Sequence, residues 1–188
     1  MKAIGLTEFG APEVLRELSL DFPVCGEDQV LIQVKGVSVN YADLQTRRGS
    51  YHAGGTIFPV IPGLDAAGTV VAMGAHVTKF QAGQRVIAFP HTGSYAEYVV
   101  ADSDLVFPVP DSISWEQAIA CPLVTFTSRM LLSKVAHLQQ GETLLLHAAS
   151  GGIGTTAIQT ARSMGAAKII GTVGKPEKIQ AALDVGAD

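Results

Sequence analysis

The sequence has little of what marks several large protein classes. Its 188 residues include two cysteines, one tryptophan and only 16% charged side chains. Cys25 and Cys121 are too few for a disulfide framework or, by themselves, for a structural zinc site. No apolar run approaches the ~18 residues that a membrane-spanning helix needs. A net charge of −4, without any run of like charges, gives no electrostatic surface for nucleic acid.

What the sequence does contain is typical of an ordered globular chain. Apolar residues make up 47% of it, which excludes disorder on composition. The length suits one large domain or two small ones. The opening Met1–Leu6 meets Thr7 and Glu8 too soon for the core of a signal peptide. We therefore expect a soluble, cytoplasmic protein with neither nucleic acid nor membrane as a partner.

Residues 1 to about 110 have the pattern of β-strands separated by turns. Turn formers such as Ile61-Pro62-Gly63 lie between short β-branched runs, and alternation from Glu13 to Leu18 predicts a further strand. The runs are Val30–Val34, Thr69–Ala72, Arg85–Phe89, Tyr95–Val100 and Leu105–Val109.

The pattern changes to alternating helices and strands after Pro110. Ser114-Trp115-Glu116-Gln117 fits a capping box, which predicts a helix that stops near Pro122. A second helix is predicted over residues 124–136. This change of pattern places a domain boundary near 120–125, and we assign one domain to 1–122 and another to 123–188.

The second domain has the pattern of a βαβ unit. Thr143–Ala148 is a continuous apolar run of the kind buried on both faces of a parallel sheet. A helix from about Ile153 to Met164, a strand over Lys168–Val173 and a helix beginning at Lys175 follow, which implies a parallel sheet. Because that last helix reaches Asp188 where a further strand would be expected, we predict an incomplete domain.

A turn rich in small residues joins the first strand of this unit to its helix. Ala149, Gly151 and Gly154 have the spacing A-x-G-x-x-G, which lets backbone approach a pyrophosphate at the N-terminus of a helix. An ordinary tight turn is the alternative interpretation. The cofactor-binding residues predicted here are Ala149, Ser150, Gly151, Gly152, Ile153 and Gly154.

The second strand of the unit indicates which dinucleotide binds. An NAD site normally has an acidic residue at its end for the ribose 2′-hydroxyl, but Gly171–Gly174 contains none. Lys175 and Lys178 follow and could pair with a 2′-phosphate, although a solvated helix start would explain them as well. We predict NADPH as the cofactor, with Gly174 and Lys178 among its contacts.

Several motifs together resemble one family. The chain is similar to the N-terminal part of a medium-chain dehydrogenase/reductase, in the zinc-free quinone oxidoreductase branch. The resemblance implies a mixed α+β and α/β fold, with a GroES-like β domain followed by a truncated Rossmann dinucleotide-binding domain. The motifs are Val39-Asn40-Tyr41-Ala42-Asp43, Arg48-Gly49-Ser50-Tyr51, Ile61-Pro62-Gly63-Leu64-Asp65-Ala66-Ala67-Gly68, Ala148-Ala149-Ser150-Gly151-Gly152-Ile153-Gly154 and Ile170-Gly171-Thr172-Val173-Gly174.

The same comparison argues against a catalytic metal. Leu64 stands where zinc-dependent relatives have a histidine ligand, and no cysteine lies between 26 and 120. The five histidines show no ligand spacing. We therefore expect no metal. The histidines are His52, His76, His91, His137 and His147.

The resemblance also implies a reaction and its residues. It implies hydride transfer from NADPH to a quinone or an α,β-unsaturated carbonyl. Tyr51 and Asn40 would hold the developing oxygen, and Tyr51 or solvent would supply the proton. Asn40 and Asp43 would line the cleft beside the nicotinamide, while Thr127 would hold the carboxamide. The alternatives are a turn residue for Asn40, a helix N-terminal carboxylate for Asp43 and loop packing for Tyr51.

Other functions are compatible with the same motifs. An enoyl-thioester reductase would share the fold and a tyrosine near Tyr51, and Gln45 stands where many quinone reductases have tyrosine. A non-catalytic, truncated nucleotide-binding module is the alternative outside enzymes, and a zinc alcohol dehydrogenase is disfavoured by the missing ligands. A small-molecule substrate and, from the resemblance alone, a homodimer are expected.

Overall fold

The computed structural model describes residues 1–51 and 56–188. Within them the chain forms two compact units, Met1–Pro122 and Leu123–Asp188. Each unit contains its own cluster of buried apolar side chains.

The first unit is built on antiparallel sheets. Strands β1 and β2 form a two-stranded sheet, and the other five form a sheet with the order β6-β3-β4-β5-β7. The larger sheet forms because alternate residues face the core, as Val30 and Ile32 do in β3. The strands are β1 (Lys2–Gly5), β2 (Arg16–Ser19), β3 (Gln29–Gly36), β4 (Ala66–Met73), β5 (Arg85–Ala88), β6 (Tyr98–Asp102) and β7 (Val106–Pro108).

Helix α1 (Tyr41–Arg48) and the segment before β2 differ most from the sequence prediction. Helix α1 interrupts a region predicted to be strands and loops, and it ends at Gly49 in the left-handed region with φ 77°. The predicted strand from Glu13 to Leu18 is wrong in its first half. Pro12 begins a 3-10 turn, Pro12–Val14, since its fixed φ and missing N–H suit the start of a helical turn.

The helices after Pro110 follow local capping rules. Helix α2 (Trp115–Ala120) begins with the predicted capping box, in which the Gln117 N–H donates to Ser114 Oγ at 3.2 Å and the Ser114 N–H donates to Gln117 Oε1 at 3.0 Å. Helix α3 (Pro122–Met130) starts on a proline and continues as a π-helical segment, Leu131–Val135. The predicted helix over 124–136 is thus confirmed, with Pro122 beginning it two residues earlier.

The second unit contains the predicted βαβ arrangement. Strands β8 (Thr143–Leu146) and β9 (Lys168–Gly171) pair in parallel, with Leu144 opposite Ile169. Helix α4 (Gly152–Ser163) connects them, and a 3-10 turn, Pro176–Lys178, leads into α5 (Ile179–Leu183). The cluster of buried apolar residues includes Ile158 of α4.

One feature of this sheet corrects the prediction. Strand β8 was expected to be buried on both faces, but its burial alternates. Leu144 and Leu146 pack against the core, whereas Leu145 is 57% exposed and its neighbour Ile170 is 41% exposed. In the described chain, the face of this sheet that carries Leu145 and Ile170 is exposed to solvent.

The sequence predicts no membrane-spanning helix. Within residues 1–51 and 56–188, none of the helices is both long enough and apolar enough to cross a bilayer.

Candidate active site

Two of the predicted catalytic residues lie together at the start of α1. Asn40 is the N-cap and Asp43 the third helical residue, and the two form a capping box. The Asn40 backbone N–H donates to Asp43 Oδ2 at 2.8 Å. Both side chains are buried, with exposed fractions of 9% and 5%. This arrangement gives Asp43 the helix N-terminal role that the sequence left as the alternative to lining a cleft.

The Asp43 carboxylate also accepts hydrogen bonds from two distant segments. The Gly63 N–H donates to Oδ1 at 3.1 Å, and the Tyr95 hydroxyl donates to Oδ2 at 3.0 Å. With the Asn40 N–H, three donors of the described chain reach the carboxylate, so both oxygens of this buried side chain are hydrogen-bonded.

The Tyr95 hydroxyl is the donor in its contact with Asp43. Burial raises the pKa of its hydroxyl well above the usual value, and the negative charge and hydrogen bond of Asp43 raise that pKa further. The more distant charge of Asp65 acts in the same direction. The raised pKa favours the protonated phenol, which is the form that donates to Asp43.

The side-chain amide of Asn40 is held by a second buried carboxylate. Asn40 Nδ2 donates to Ser38 Oγ at 2.8 Å and lies 3.4 Å from Asp65 Oδ1. Ser38 Oγ donates to the Asp65 carboxylate at 2.7 Å, and Asp65 is 1% exposed. Because the amide nitrogen already has two acceptors, Asn40 is held in one orientation and its N–H groups are engaged inside the protein.

Tyr51, the third predicted catalytic residue, lies beyond the other end of α1. It follows the left-handed Gly49 by two residues, and its side chain is 50% exposed. Residues 52–55, among them His52, lie outside the described part of the chain. Tyr51 thus differs from Asn40 and Asp43, since its side chain reaches solvent whereas theirs are buried.

Sequence reasoning missed three members of this network. Ser38 and Tyr95 had no role assigned, and Asp65 was only quoted within the motif 61–68. The sequence did contain a signal for Asp65, because it directly precedes an apolar strand. An acidic residue that is buried with such a strand needs a partner. Tyr95 had no such signal, since 52 residues separate it from Asp43.

The predicted dinucleotide turn lies between β8 and α4. Gly151 is the N-cap and supplies no side-chain cap, so the first N–H groups of α4 have no side-chain acceptor. The Gly151 N–H donates to the Ala148 carbonyl at 2.9 Å, and Ala148 has a positive φ of 54°. A sharp turn that exposes a helix N-terminus is the arrangement that binds a pyrophosphate.

Close backbone approach explains the small residues of the turn. A Cβ atom added at Gly154 would lie 2.3 Å from the Ala148 carbonyl oxygen and 2.7 Å from the Ala149 backbone. One added at Gly171 in β9 would lie 2.7 Å from Ala149 Cβ. Helix α4 can therefore pack against the turn only while these positions stay small.

The remaining predicted cofactor residues border this turn. Ile153 accepts a hydrogen bond at its backbone carbonyl from Ser128 Oγ at 3.3 Å, which ties the turn to α3. Thr127, one residue earlier on α3, is half-buried, and Ser150 lies at the turn itself. Gly174 and Lys178 are exposed after β9, where the space around the Gly174 Cα is open.

Over residues 1–51 and 56–188, no group of three or more His, Cys, Asp or Glu side chains is placed to hold a metal ion.

Comparison with protein families identifies the first unit. Residues 26–111 match the family described as "Alcohol dehydrogenase GroES-like domain". This match and the parallel βαβ unit that follows confirm the predicted fold class, a GroES-like β domain followed by a Rossmann-type sheet.

Individual proteins are similar to the chain over both units. The chain is 39% identical to a quinone oxidoreductase of Sus scrofa and 39% identical to one of Pseudomonas aeruginosa, over 100% and 99% of its length. It superposes with a TM-score of 0.91 and 34% identity on the Escherichia coli quinone oxidoreductase solved in complex with NADPH. Over its whole length the chain is thus similar to quinone oxidoreductases of the medium-chain dehydrogenase/reductase superfamily. It spans 57% of the length of each of these three relatives.

Proposed function

We propose that this protein is an NADPH-dependent oxidoreductase that reduces a quinone or an α,β-unsaturated carbonyl. The observation that carries the proposal is the uncapped N-terminus of α4 behind a turn in which Gly154 admits no side chain. Such a turn is suited to a dinucleotide pyrophosphate, and the E. coli relative was solved with NADPH. Under this proposal, residues 1–122 are the catalytic domain and residues 123–188 the first part of the NADP-binding domain.

The second unit would bind the cofactor. When bound, NADPH supplies the hydride. The backbone N–H groups of the turn residues would hold the pyrophosphate, and Thr127 the carboxamide end. Lys178, exposed after β9, would pair with the 2′-phosphate. Lys175 is less available, because its ammonium lies 3.9 Å from the Glu177 carboxylate.

The first unit would stabilise the oxygen on which charge develops. Addition of a hydride to the β-carbon of an enone, or to a quinone, leaves negative charge on the substrate oxygen. The Tyr51 hydroxyl would donate a hydrogen bond there and pass on its proton, with solvent restoring it, so that one hydride and one proton are added in total. Asn40, whose amide N–H groups are engaged by Ser38 and Asp65, would shape the site instead of donating to that oxygen.

Tyr51→Phe tests this assignment. We expect kcat to fall by about 100-fold, the effect of removing one oxyanion donor, with an unchanged KM for NADPH. Tyr98→Phe is the matched control, since in the described part of the chain its hydroxyl accepts a hydrogen bond only from Gln33 Nε2, at 3.4 Å, and Tyr98 lies on an edge strand. The measurement is NADPH consumption by the purified protein with quinones, enones and 2-enoyl thioesters as parallel substrates.

The outcomes separate the candidate functions. No turnover by the unmodified protein with any of these substrates would contradict the reductase and favour a nucleotide-binding module. Faster turnover of 2-enoyl thioesters than of quinones would make the protein an enoyl-thioester reductase. Equal kcat values for the unmodified protein and Tyr51→Phe would remove Tyr51 from the mechanism. A cytoplasmic location and a homodimer stay predictions.

A further inference from the structure

Three segments that are far apart in sequence meet at one carboxylate. Asp43 Oδ2 accepts from the Asn40 N–H and from the Tyr95 hydroxyl, and Oδ1 accepts from the Gly63 N–H. Gly63 is 20 residues from Asp43 along the chain, and Tyr95 is 52 residues away. These hydrogen bonds therefore join three segments at one side chain: the start of α1, residues 62–64 and the segment before β6.

Tyr95 and Ser94 pack closely against Gly63. Gly63 has a φ of 103°, and a Cβ added there would lie 2.6 Å from Tyr95 Cδ1 and 2.1 Å from Ser94 Oγ. Leu44 and Pro62 line the same small cavity as Asp43 and Tyr95. The phenol ring is thus packed in place, which orients its hydroxyl toward Asp43.

Helix α1 connects Asn40, at its start, with the segment after Gly49 that contains Tyr51. At its far end, the Arg47 guanidinium donates to the Gly10 carbonyl, and the Gly10 N–H donates to the Arg47 carbonyl at 3.1 Å. Phe9 packs on Gly49, where an added Cβ would lie 2.7 Å from the ring. Both ends of this two-turn helix are thus held, the start through Asp43 and the far end through Arg47 and Gly49.

We propose that Tyr95 is a positioning residue, which through Asp43 fixes the start of α1 and so sets the placement of Asn40 and Tyr51 for the reaction. The proposal rests on the proposed function for the catalytic importance of that placement. Tyr95 contacts neither Asn40 nor Tyr51 through any described hydrogen bond, so its effect passes through Asp43.

Amide hydrogen exchange tests the positioning without reference to activity. Tyr95→Phe keeps the ring and removes only the hydroxyl, and Tyr98→Phe is again the matched control. We expect the Asn40 and Gly63 amides to exchange about 10-fold faster in Tyr95→Phe, because the carboxylate that holds them has lost one of its three donors. Exchange at these two amides that matches the Tyr98→Phe control would overturn the proposal.

Kinetics test whether the placement matters for the reaction. We expect kcat per folded molecule to fall about 10-fold in Tyr95→Phe, with an unchanged KM for NADPH, since small misplacements lower the rate of the chemical step. A residue that only stabilises the fold would lower the midpoint of thermal unfolding and leave kcat unchanged, and that result would overturn the proposal. Absence of turnover in the unmodified protein would instead contradict the proposed function, while the exchange experiment would still decide whether Tyr95 fixes Asn40 and Gly63.

Discussion

At the residue scale, buried polar side chains in the first unit have specific partners. Asp43, with an exposed fraction of 5%, has three donors, and Asp65, at 1%, has the Ser38 hydroxyl and the Asn40 amide. A buried carboxylate without such donors would cost several kcal/mol. These buried hydrogen bonds hold the side chains in defined positions. Exposed ion pairs such as Lys79–Asp104 constrain their side chains less.

Lys178→Ala tests the assignment of the cofactor at this scale. A lysine that pairs with the 2′-phosphate contributes a charge-assisted hydrogen bond, so its loss should raise the Kd for NADPH by about 10-fold and leave the Kd for NADH unchanged. Titration of the purified protein with each nucleotide measures both constants. Lys168→Ala, at the opposite end of β9, is the control for a general loss of positive charge. Equal weakening of NADPH and NADH would contradict a phosphate-binding role.

At the element scale, the turn between β8 and α4 depends on distances between backbone atoms. Gly154→Ala would place a methyl group 2.3 Å from the Ala148 carbonyl oxygen, so the turn must open. We expect the free energy of unfolding to fall by about 1–3 kcal/mol and NADPH binding to be lost. Gly174→Ala, with open space around its Cα, should change the free energy of unfolding by less than about 0.5 kcal/mol. Urea denaturation compares the two, and similar losses would show that the contact at Gly154 is not what matters.

The elements that could be predicted are those that depend on residues close together in the sequence. The capping box at Ser114 and Gln117 and the turn at Gly151 and Gly154 depend on residues three positions apart, and both were found as predicted. Helix α1 was missed because its mean hydropathy is low and its apolar face is short, so no helical period stands out over eight residues. Its capping box at Asn40 and Asp43 was the available signal.

At the scale of the whole molecule, the two units have separate cores. Ile32 is fully buried in the first unit and Ile158 in the second. Ile32→Val and Ile158→Val should each lower the free energy of unfolding by about 0.5–1.5 kcal/mol, since each removes one buried methylene. Native-state amide exchange should show the loss mainly within the unit that carries the substitution. Equal acceleration in both units after either change would mean that they unfold as one.

The sequence by itself determined the class of fold, the tight turn between β8 and α4 and the approximate positions of most elements. Periodicity, capping and turn chemistry act between residues a few positions apart, so the order of residues records them. Only the tertiary structure decided that Asp43 is joined to Tyr95 and Asn40 to Asp65. Those contacts join segments 52 and 25 residues apart, and burial, which no local pattern records, makes them strong.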